Sequence, residues 1–342
     1  MPSNRQIILK SAPQGVPGPE DFALKCAPVP DPGGDAVLCR TRYLSLDPYM
    51  RSQIAGRHPS GAVVPGDVMK GETVSEVVRS EVASFRPGQL VRCMGGWQAY
   101  SVHGAGDLHA VADGIEPPSF ALSVLGMTGL TAYAGMVWQA RVRAGECVAI
   151  PAVTGGVGSI AAQLCAARGA RVIGIAGTGE KCRYAVGSLG AAACIDRRME
   201  DVEERLGELC PDGIDVYFDL VGGPILQAAC GNLTPYGRVV LCGLMAEYNR
   251  PDRSPGPAPG LLIAKRAVVS GLVVYDYEHR RDEFIRECLP LVAQGKLRQR
   301  EDVTVGLENA PAAFHRLMSG QNFGKVIVKV NNAKHRPVRW RT

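Results

Sequence analysis

Ile150-Pro151-Ala152-Val153-Thr154-Gly155-Gly156-Val157-Gly158-Ser159 is the stretch on which the fold turns. It continues the apolar run Cys147-Val148-Ala149-Ile150, the pattern of a buried strand, and opens a helix expected from about Val157 to Arg168. A glycine-rich turn between strand and helix gathers unsatisfied backbone N–H groups at the positive end of the helix dipole, where a pyrophosphate binds. Gly155 lets the backbone approach the phosphates and Gly158 lets helix and strand pack closely. Val153 stands where the usual G-x-G-x-x-G has its first glycine. A second strand, Ala170 to Ala176, completes the strand–helix–strand unit.

Outward from this unit the period persists. A helical segment from Gly129 to Ala140 precedes it, and a turn at Ala144-Gly145-Glu146 leads in. Further strands are expected at Ala192 to Ile195, Ile214 to Asp219, Gly237 to Cys242 and Val268 to Tyr275. Six short strands separated by helix-length segments describe an α/β fold, a doubly wound parallel Rossmann sheet. Residues 1 to about 125 differ: they are rich in Pro and Gly. Short runs such as Ala36–Arg42 and Glu72–Val78 alternate with turns such as Arg86-Pro87-Gly88-Gln89, which describes a β-rich domain of barrel type. A helix from Asp282 to Gln294 and strands at Val303–Gly306 and Lys325–Val330 end the pattern. Isolated strands need a partner sheet, so the last segment is expected to return to the first domain. The expected organisation is residues 1–125 with 295–342 as the β-rich substrate domain and 126–294 as the inserted dinucleotide domain.

Length and composition agree. At 342 residues the chain has room for two domains, and 46% hydrophobic with 21% charged residues exclude disordered and fibrous classes. No apolar stretch reaches the ~18 residues that would cross a bilayer, so no membrane association is expected. Met1-Pro2-Ser3-Asn4-Arg5-Gln6 lacks a secretory pattern, and the expected location is cytoplasmic. Cations exceed acids by five, but Lys334, Arg336, Arg339 and Arg341 crowd the C-terminal tail. No recognition helix or aromatic-interleaved basic stripe accompanies them, so no nucleic-acid partner is expected. Eleven cysteines show no zinc-ligand spacing, and they are expected to be reduced, with no metal site.

The cofactor can be read from the end of the second strand. An NAD-binding chain usually carries Asp or Glu there for the ribose hydroxyls, whereas this chain has Gly177-Thr178-Gly179-Glu180-Lys181. An acid would repel a 2′-phosphate by about 4 kcal/mol at 4 Å and intermediate dielectric. Lys181 can reach that phosphate, and Arg197 adds a second cation. NADP is therefore the expected cofactor, used as NADPH, with Glu180 turned to solvent beside the helix N-terminus.

The strings Tyr43-Leu44-Ser45-Leu46-Asp47-Pro48-Tyr49-Met50-Arg51, Leu125-Gly126-Met127-Thr128-Gly129-Leu130-Thr131-Ala132-Tyr133, Cys242-Gly243-Leu244-Met245-Ala246-Glu247-Tyr248-Asn249 and Asn322-Phe323-Gly324-Lys325 carry a resemblance. The chain resembles the zinc-independent medium-chain dehydrogenase/reductases, in the branch of prostaglandin, 2-alkenal (double-bond) and curcumin reductases. The resemblance implies a GroES-like, partly closed barrel around the inserted sheet and NADPH-dependent reduction of the C=C bond of α,β-unsaturated aldehydes and ketones. It also implies a homodimer through the edge strand of the cofactor sheet. Zinc relatives carry a Gly-His-Glu string where this chain has Met69-Lys70-Gly71-Glu72, with no histidine.

The same resemblance assigns residues. Thr154, Gly155, Gly156, Val157 and Gly158 would cradle the pyrophosphate, and Lys181 would bind the 2′-phosphate. Met127, Thr131, Cys242, Gly243, Tyr248, Leu272, Val273 and Val274 would line the cofactor, and Asn322 would help hold it. Arg197 stands where the family often has Tyr, and Leu220 where it has an Asn that bonds the cofactor.

Hydride transfer needs position and charge management, because the cofactor carries the electrons. Tyr248 is expected to donate to the carbonyl oxygen as enolate charge develops there, or to help relay the α-carbon proton. Tyr49, after Pro48, is the second catalytic expectation, on the substrate side. Asp47 and Arg51 are expected either to pair or to pin the loop, and the histidines are assigned no role. The run from Arg250 to Gly260 is expected to form an irregular loop that shapes substrate choice. A quinone reductase of the sister branch and a non-catalytic NADPH-binding protein are the alternatives.

Overall fold

Leu90–Cys93 shows why the N-terminal runs become strands: Val91 and Cys93 turn into the interior while Leu90 and Arg92 stay half-buried. The computed structural model describes residues 3–252 and 254–331 of the chain. Met1, Pro2, Arg253 of the proline-rich run and the basic tail with Lys334, Arg336, Arg339 and Arg341 lie outside the described residues. Two units are present. One comprises Met1–Leu122, Asp302–Gln321 and Val326–Thr342, and the other Ser123–Glu301 and Asn322–Lys325.

In the first unit the strands are β1 (Ser3–Leu9), β2 (Phe22–Pro28), β3 (Ala36–Ser45), β4 (Thr73–Ser80), β5 (Leu90–Cys93), β6 (Tyr100–Gly104) and β7 (His109–Ala110), with helix α1 (Met50–Ile54) between β3 and β4. The turn into β5 has Pro87 and then Gly88 at φ 87°, closed by Gln89 N–H to the Arg86 carbonyl at 3.1 Å, as a type II turn requires. Trp97 is fully buried, stacked on Phe22 at 5.6 Å and met edge-on by Phe314.

In the second unit the order is α2 (Met127–Tyr133), β8 (Cys147–Pro151), α3 (Gly158–Ala167), β9 (Arg171–Ala176), α4 (Gly179–Leu189), β10 (Ala193–Asp196), α5 (Val202–Leu209), β11 (Ile214–Asp219), α6 (Gly223–Gly231), β12 (Leu233–Leu241), α7 (Pro259–Lys265), β13 (Val268–Gly271) and α8 (Arg281–Ala293). The chain then adds β14 (Glu301–Val305), α9 (Ala310–Met318) and β15 (Lys325–Lys329). β15 pairs antiparallel with β3, so the last strands join the sheet of the first unit, in the order β14-β15-β3-β4-β5-β7.

The six-stranded sheet has the order β10-β9-β8-β11-β12-β13, with its pairs parallel. Ile173, Ile175, Ile195 and Tyr217 fill one face against Leu206 of α5 and Leu226 of α6. Each such side chain contributes about 1.5–3 kcal/mol by leaving water. The order reverses between β8 and β11, which is where a doubly wound sheet opens a crevice at the carboxyl ends of its strands.

Three expectations about elements are corrected. The strand from Val268 ends at Gly271, not Tyr275, because its only neighbour β12 ends at Leu241. Gly271 pairs with Leu241, Leu272 N–H makes a last bond to the Leu241 carbonyl at 2.8 Å, and a 3₁₀ helix spans Val274–Arg280. The segment from Gly129 to Ala140 begins at Met127 and widens after Tyr133 into a π-turn over Ala134–Gln139, with Ala140 N–H bonded to the Gly135 carbonyl. The proline-rich run is irregular only up to Ala258: Pro259 starts α7, a position where its missing N–H costs nothing.

Candidate functional site

The turn after β8 contains the positive-φ residue Ala152, at φ 49°. Val153 fits where the usual motif has glycine because Gly174 of β9 leaves room: a Cβ on Gly174 would lie 2.8 Å from Val153 Cγ1. A Cβ on Gly158 would lie 2.4 Å from the Ala152 oxygen and 2.9 Å from Val153 Cα, so α3 crosses the turn at a distance only glycine permits. On Gly155 a Cβ would meet only the Ala152 oxygen, at 3.1 Å, and otherwise open space. Val157 stands at the N-cap of α3 and no side chain caps that end, while Thr154 is buried beneath it. An open backbone face beside an uncapped helix end suits a pyrophosphate.

After β9, Thr178 caps α4, its hydroxyl oxygen accepting from Lys181 N–H at 3.3 Å. Around this helix end gather more cations than the two expected. The guanidinium nitrogens of Arg197 and Arg198 lie 3.6 and 3.7 Å from where a Cβ on Gly177 would sit, and Arg183 Nη1 lies 3.5 Å from the corresponding point on Gly179. Lys181 is half-buried among them and Glu180 is exposed. Asp196 accepts the Arg198 N–H at 3.1 Å and so shapes the turn that presents Arg197 and Arg198. These donors fit a phosphate monoester on the ribose. Arg183 and Arg198 were not assigned from sequence; the density of Lys181, Arg183, Arg197 and Arg198 around a glycine pair was the available signal.

The loops after β11 and β12 are laced together. Cys242 and Gly243 N–H groups both reach the Asp219 carbonyl, at 2.9 and 3.1 Å, and Ala246 N–H reaches the Val221 carbonyl at 2.9 Å. Buried Asp219 accepts from Tyr217 Oη and from the N–H groups of Val221 and Gly222, which sets the course of the loop past Leu220. Burial pushes its carboxyl up, against these three bonds. Burial and then the Asp219 charge push the Cys242 thiol up to about 12, which keeps it neutral near pH 7. Tyr248 is half-buried, its N–H on the Leu244 carbonyl at 3.1 Å. Next to it, Glu247 binds Ser254 through both carboxylate oxygens and ties down the proline-rich loop.

Leu272 is buried and Val273 is 46% exposed after β13. Met127 and Thr131 lie one turn apart on α2, joined by Thr131 Oγ1 donating to the Met127 carbonyl at 2.7 Å. Asn322 Nδ2 bonds the Gly324 carbonyl at 2.8 Å. The turn after β8 and the segments after β9, β10, β12 and β13 thus all leave the carboxyl edge of one sheet.

In the first unit Tyr49 caps α1 and stacks on His58, with ring centroids 4.8 Å apart. His58 shares a 2.7 Å hydrogen bond with Ser60 Oγ, and burial, then the Lys70 charge, lowers its pKa. His58, given no role from sequence, is therefore a neutral ring held against Tyr49. Arg51 donates to the carbonyls of Gly15 and Pro13, each at 3.1 Å, and pins that loop. Asp47 accepts from Ser45 Oγ.

Residues 5–111 match the family of the N-terminal domain of oxidoreductases, and residues 156–294 match the zinc-binding dehydrogenase family. The chain is 42% identical to the NADPH-dependent curcumin reductase of Escherichia coli (strain K12), over 96% of this chain and 97% of that one. It is 36% identical to a 2-alkenal reductase (NADP(+)-dependent) of Nicotiana tabacum, over 96% and 98%. The crystal structure of CurA in complex with NADPH from Vibrio vulnificus superposes with a TM-score of 0.91 at 40% identity, covering 96% of this chain and all of that one. The chain belongs to the zinc-independent medium-chain dehydrogenase/reductases.

Within this family the member described here has its own features. Arg197 stands at the position given above as a frequent Tyr, and Arg183 and Arg198 lie near the same glycine pair. Leu220 accepts the Met245 N–H on its carbonyl at 3.4 Å. Glu72 is buried and ion-paired with Arg92. Among the described residues no three His, Cys, Asp or Glu side chains come together as a metal ligand set.

Proposed function

We propose that this family member reduces the C=C bond of α,β-unsaturated aldehydes and ketones, with Tyr248 and Tyr49 as the side chains that act on the substrate. The chain is an NADP-dependent oxidoreductase and its reduced cofactor is NADPH. The observation that carries the reading is what one edge of the sheet presents: an uncapped helix end after β8, a ring of cations after β9 and β10, and an uncharged lining after β12. When bound, NADPH supplies the hydride that the β-carbon receives.

The chain supplies the rest. Thr154 to Gly158 would cradle the pyrophosphate, with Gly155 giving room for close approach while its own N–H bonds the Ala152 carbonyl at 2.8 Å, and Lys181, Arg183, Arg197 and Arg198 would hold the 2′-phosphate. Cys242, Gly243 and Leu272 to Val274 would line the nicotinamide side without offering a charge, and Met127, Thr131 and Asn322 would complete the binding surface. Tyr248 Oη would donate to the substrate carbonyl oxygen as negative charge develops there, an interaction worth about 3 kcal/mol in comparable sites. Tyr49, whose ring orientation His58 sets, would make the second contact with the substrate.

Two further parts of this reading concern surroundings. A homodimer through β13 is supported by the position of that strand at the sheet edge and by its exposed Val268 and Val269, at 58% and 40%, with Val273 and Tyr275 exposed just beyond. An apolar edge strand exposed on both faces is a pairing surface. Cytoplasmic residence is supported by eleven cysteines that are all free. Among the described residues no helix is long and apolar enough to cross a membrane.

The test is the decay of NADPH absorbance with an enone, with 1,4-naphthoquinone and with neither. Turnover of the enone with saturation of its C=C bond is expected. Turnover of the quinone alone would move the chain to the quinone reductases, and no decay with either would make it a binding protein.

A further inference from the structure

Cys147 and Cys210 lie at the opposite end of the sheet from the cofactor edge. Cys147 is the first residue of β8 and Cys210 caps the end of α5, and their Sγ atoms are 3.5 Å apart. Cys210 is buried and Cys147 is partly exposed. Arg171, the first residue of β9, places Nη1 3.9 Å from Cys147 Sγ and bonds the Leu209 carbonyl with the same atom at 2.7 Å. The guanidinium is therefore anchored over the sulfur pair. Beside Cys147 a polar cavity of about 280 Å³ is lined by Arg143, Glu146, Asp215, Thr234 and Arg238 among others. Asp215 of this cavity accepts the Cys147 N–H at 2.8 Å, so the cavity borders the backbone of the residue that carries the partly exposed thiol.

We propose that Cys147 and Cys210 are a modification site, closing to a reversible disulfide when the reduced protein meets hydrogen peroxide. The Cys147 sulfur attacks one peroxide oxygen: an S–O bond forms, the O–O bond breaks, and hydroxide leaves with the thiol proton as water. The Cys210 sulfur then displaces the sulfenic oxygen: an S–S bond forms, the S–O bond breaks, and a second water carries off the Cys210 proton. Two thiols lose two electrons and the peroxide gains them.

The roles follow from the surroundings. The hydrogen bond shared with Cys210, ahead of Arg171, draws the Cys147 thiol down against its burial. The partner thiol Cys147, then burial, pushes Cys210 up. Cys147 is the partly exposed sulfur and the one with Arg171 Nη1 at 3.9 Å, so it is the attacking sulfur, and buried Cys210 is the resolving one. Closing the pair needs the sulfurs to approach by about 1.5 Å. Among the described residues two other thiol pairs hydrogen-bond: Cys39 and Cys93 are both buried, and Cys182 and Cys194, both partly exposed, have thiols that burial pushes up and no guanidinium anchored over them as Arg171 is over Cys147.

The experiment treats the reduced full-length protein with one equivalent of hydrogen peroxide, alkylates the remaining thiols after denaturation, and maps the peptides by mass spectrometry. A Cys147–Cys210 peptide two hydrogens lighter than its reduced parts is expected, and dithiothreitol should abolish it. The oxidised protein should melt above the reduced one, because the link closes a loop of 63 residues in the unfolded chain. Cys210→Ser, which leaves no resolving thiol, should trap a sulfenic acid on Cys147 that dimedone labels. Preferential linkage of any other cysteines, or a Cys210→Ser protein that takes up no dimedone at Cys147, would overturn the proposal.

Discussion

Gly155 and Gly158 are three residues apart in one turn, yet alanine should damage them in different ways. On Gly158 the added Cβ would sit 2.4 Å from the Ala152 oxygen, where ordinary contact begins at 3.4 Å, so the carbonyl must retreat by about 1 Å. The neighbours are backbone atoms of Ala152 and Val153 in the turn after β8, which cannot rotate away as a side chain can. Overpacking of this kind costs about 1–3 kcal/mol. In a domain of this size each kcal/mol lowers the melting midpoint by about 2–4 °C. On Gly155 the same methyl meets only one oxygen at 3.1 Å, a few tenths of an ångström too close, and otherwise points into open space. Stability should change by no more than about 0.5 kcal/mol, as for surface substitutions. That open space is, however, where the phosphates must approach the backbone, so Gly155→Ala should weaken NADPH binding by at least about tenfold, or 1.4 kcal/mol. Thermal melts without cofactor and a fluorescence titration with NADPH separate the two effects. Gly155→Ala binding NADPH as the parent does would refute the pyrophosphate assignment, and Gly158→Ala melting unchanged would refute the packing argument.

Tyr248→Phe should lower kcat by about 100-fold while the NADPH dissociation constant stays within about twofold; equal losses in both would remove its chemical role. Arg198→Ala and Lys181→Ala should each raise the KM for NADPH by about tenfold and leave NADH use unchanged, since only NADPH carries the 2′-phosphate. An unaltered NADPH/NADH ratio would exclude those residues from the phosphate site. His58 has a folded-state pKa below its ordinary value, so the unfolded chain binds its proton first on acidification. Stability from this residue should be fully present above about pH 6.5 and be lost as the pH falls below it. Denaturant unfolding from pH 7.5 to 5 should show that loss weakened in His58→Gln, and identical profiles would assign the acid sensitivity elsewhere. Val269→Asp should convert a dimer to a monomer in light scattering; an unchanged mass would place any interface away from β13.

Local signals were legible wherever one segment carries both the cause and the effect. The strand, turn and helix around Gly155 lie within a residue or two of where the sequence puts them, because the period change and the glycine spacing act over fewer than a dozen residues. Pro87-Gly88 reads as a turn for the same reason. Val273 and Val274 misled because β-branched residues signal a strand whether or not a partner is present, and β12 had already ended. Arg198 and Arg183 escaped notice because one follows β10 and the other lies in α4; pairing of Ala176 with Asp196 brings their segments together.

The sequence by itself determined the class of fold, the glycine turn between β8 and α3, and the preference for a phosphorylated dinucleotide over one needing an acidic ribose ligand. These follow from periodicity, glycine placement and charge along short segments. Tertiary structure alone decided that Val153 is tolerated because Gly174 faces it, that His58 backs Tyr49, and that Cys147 meets Cys210 under Arg171. Such contacts join residues up to 63 positions apart, and their distances depend on strand register and helix seating, which no local pattern encodes.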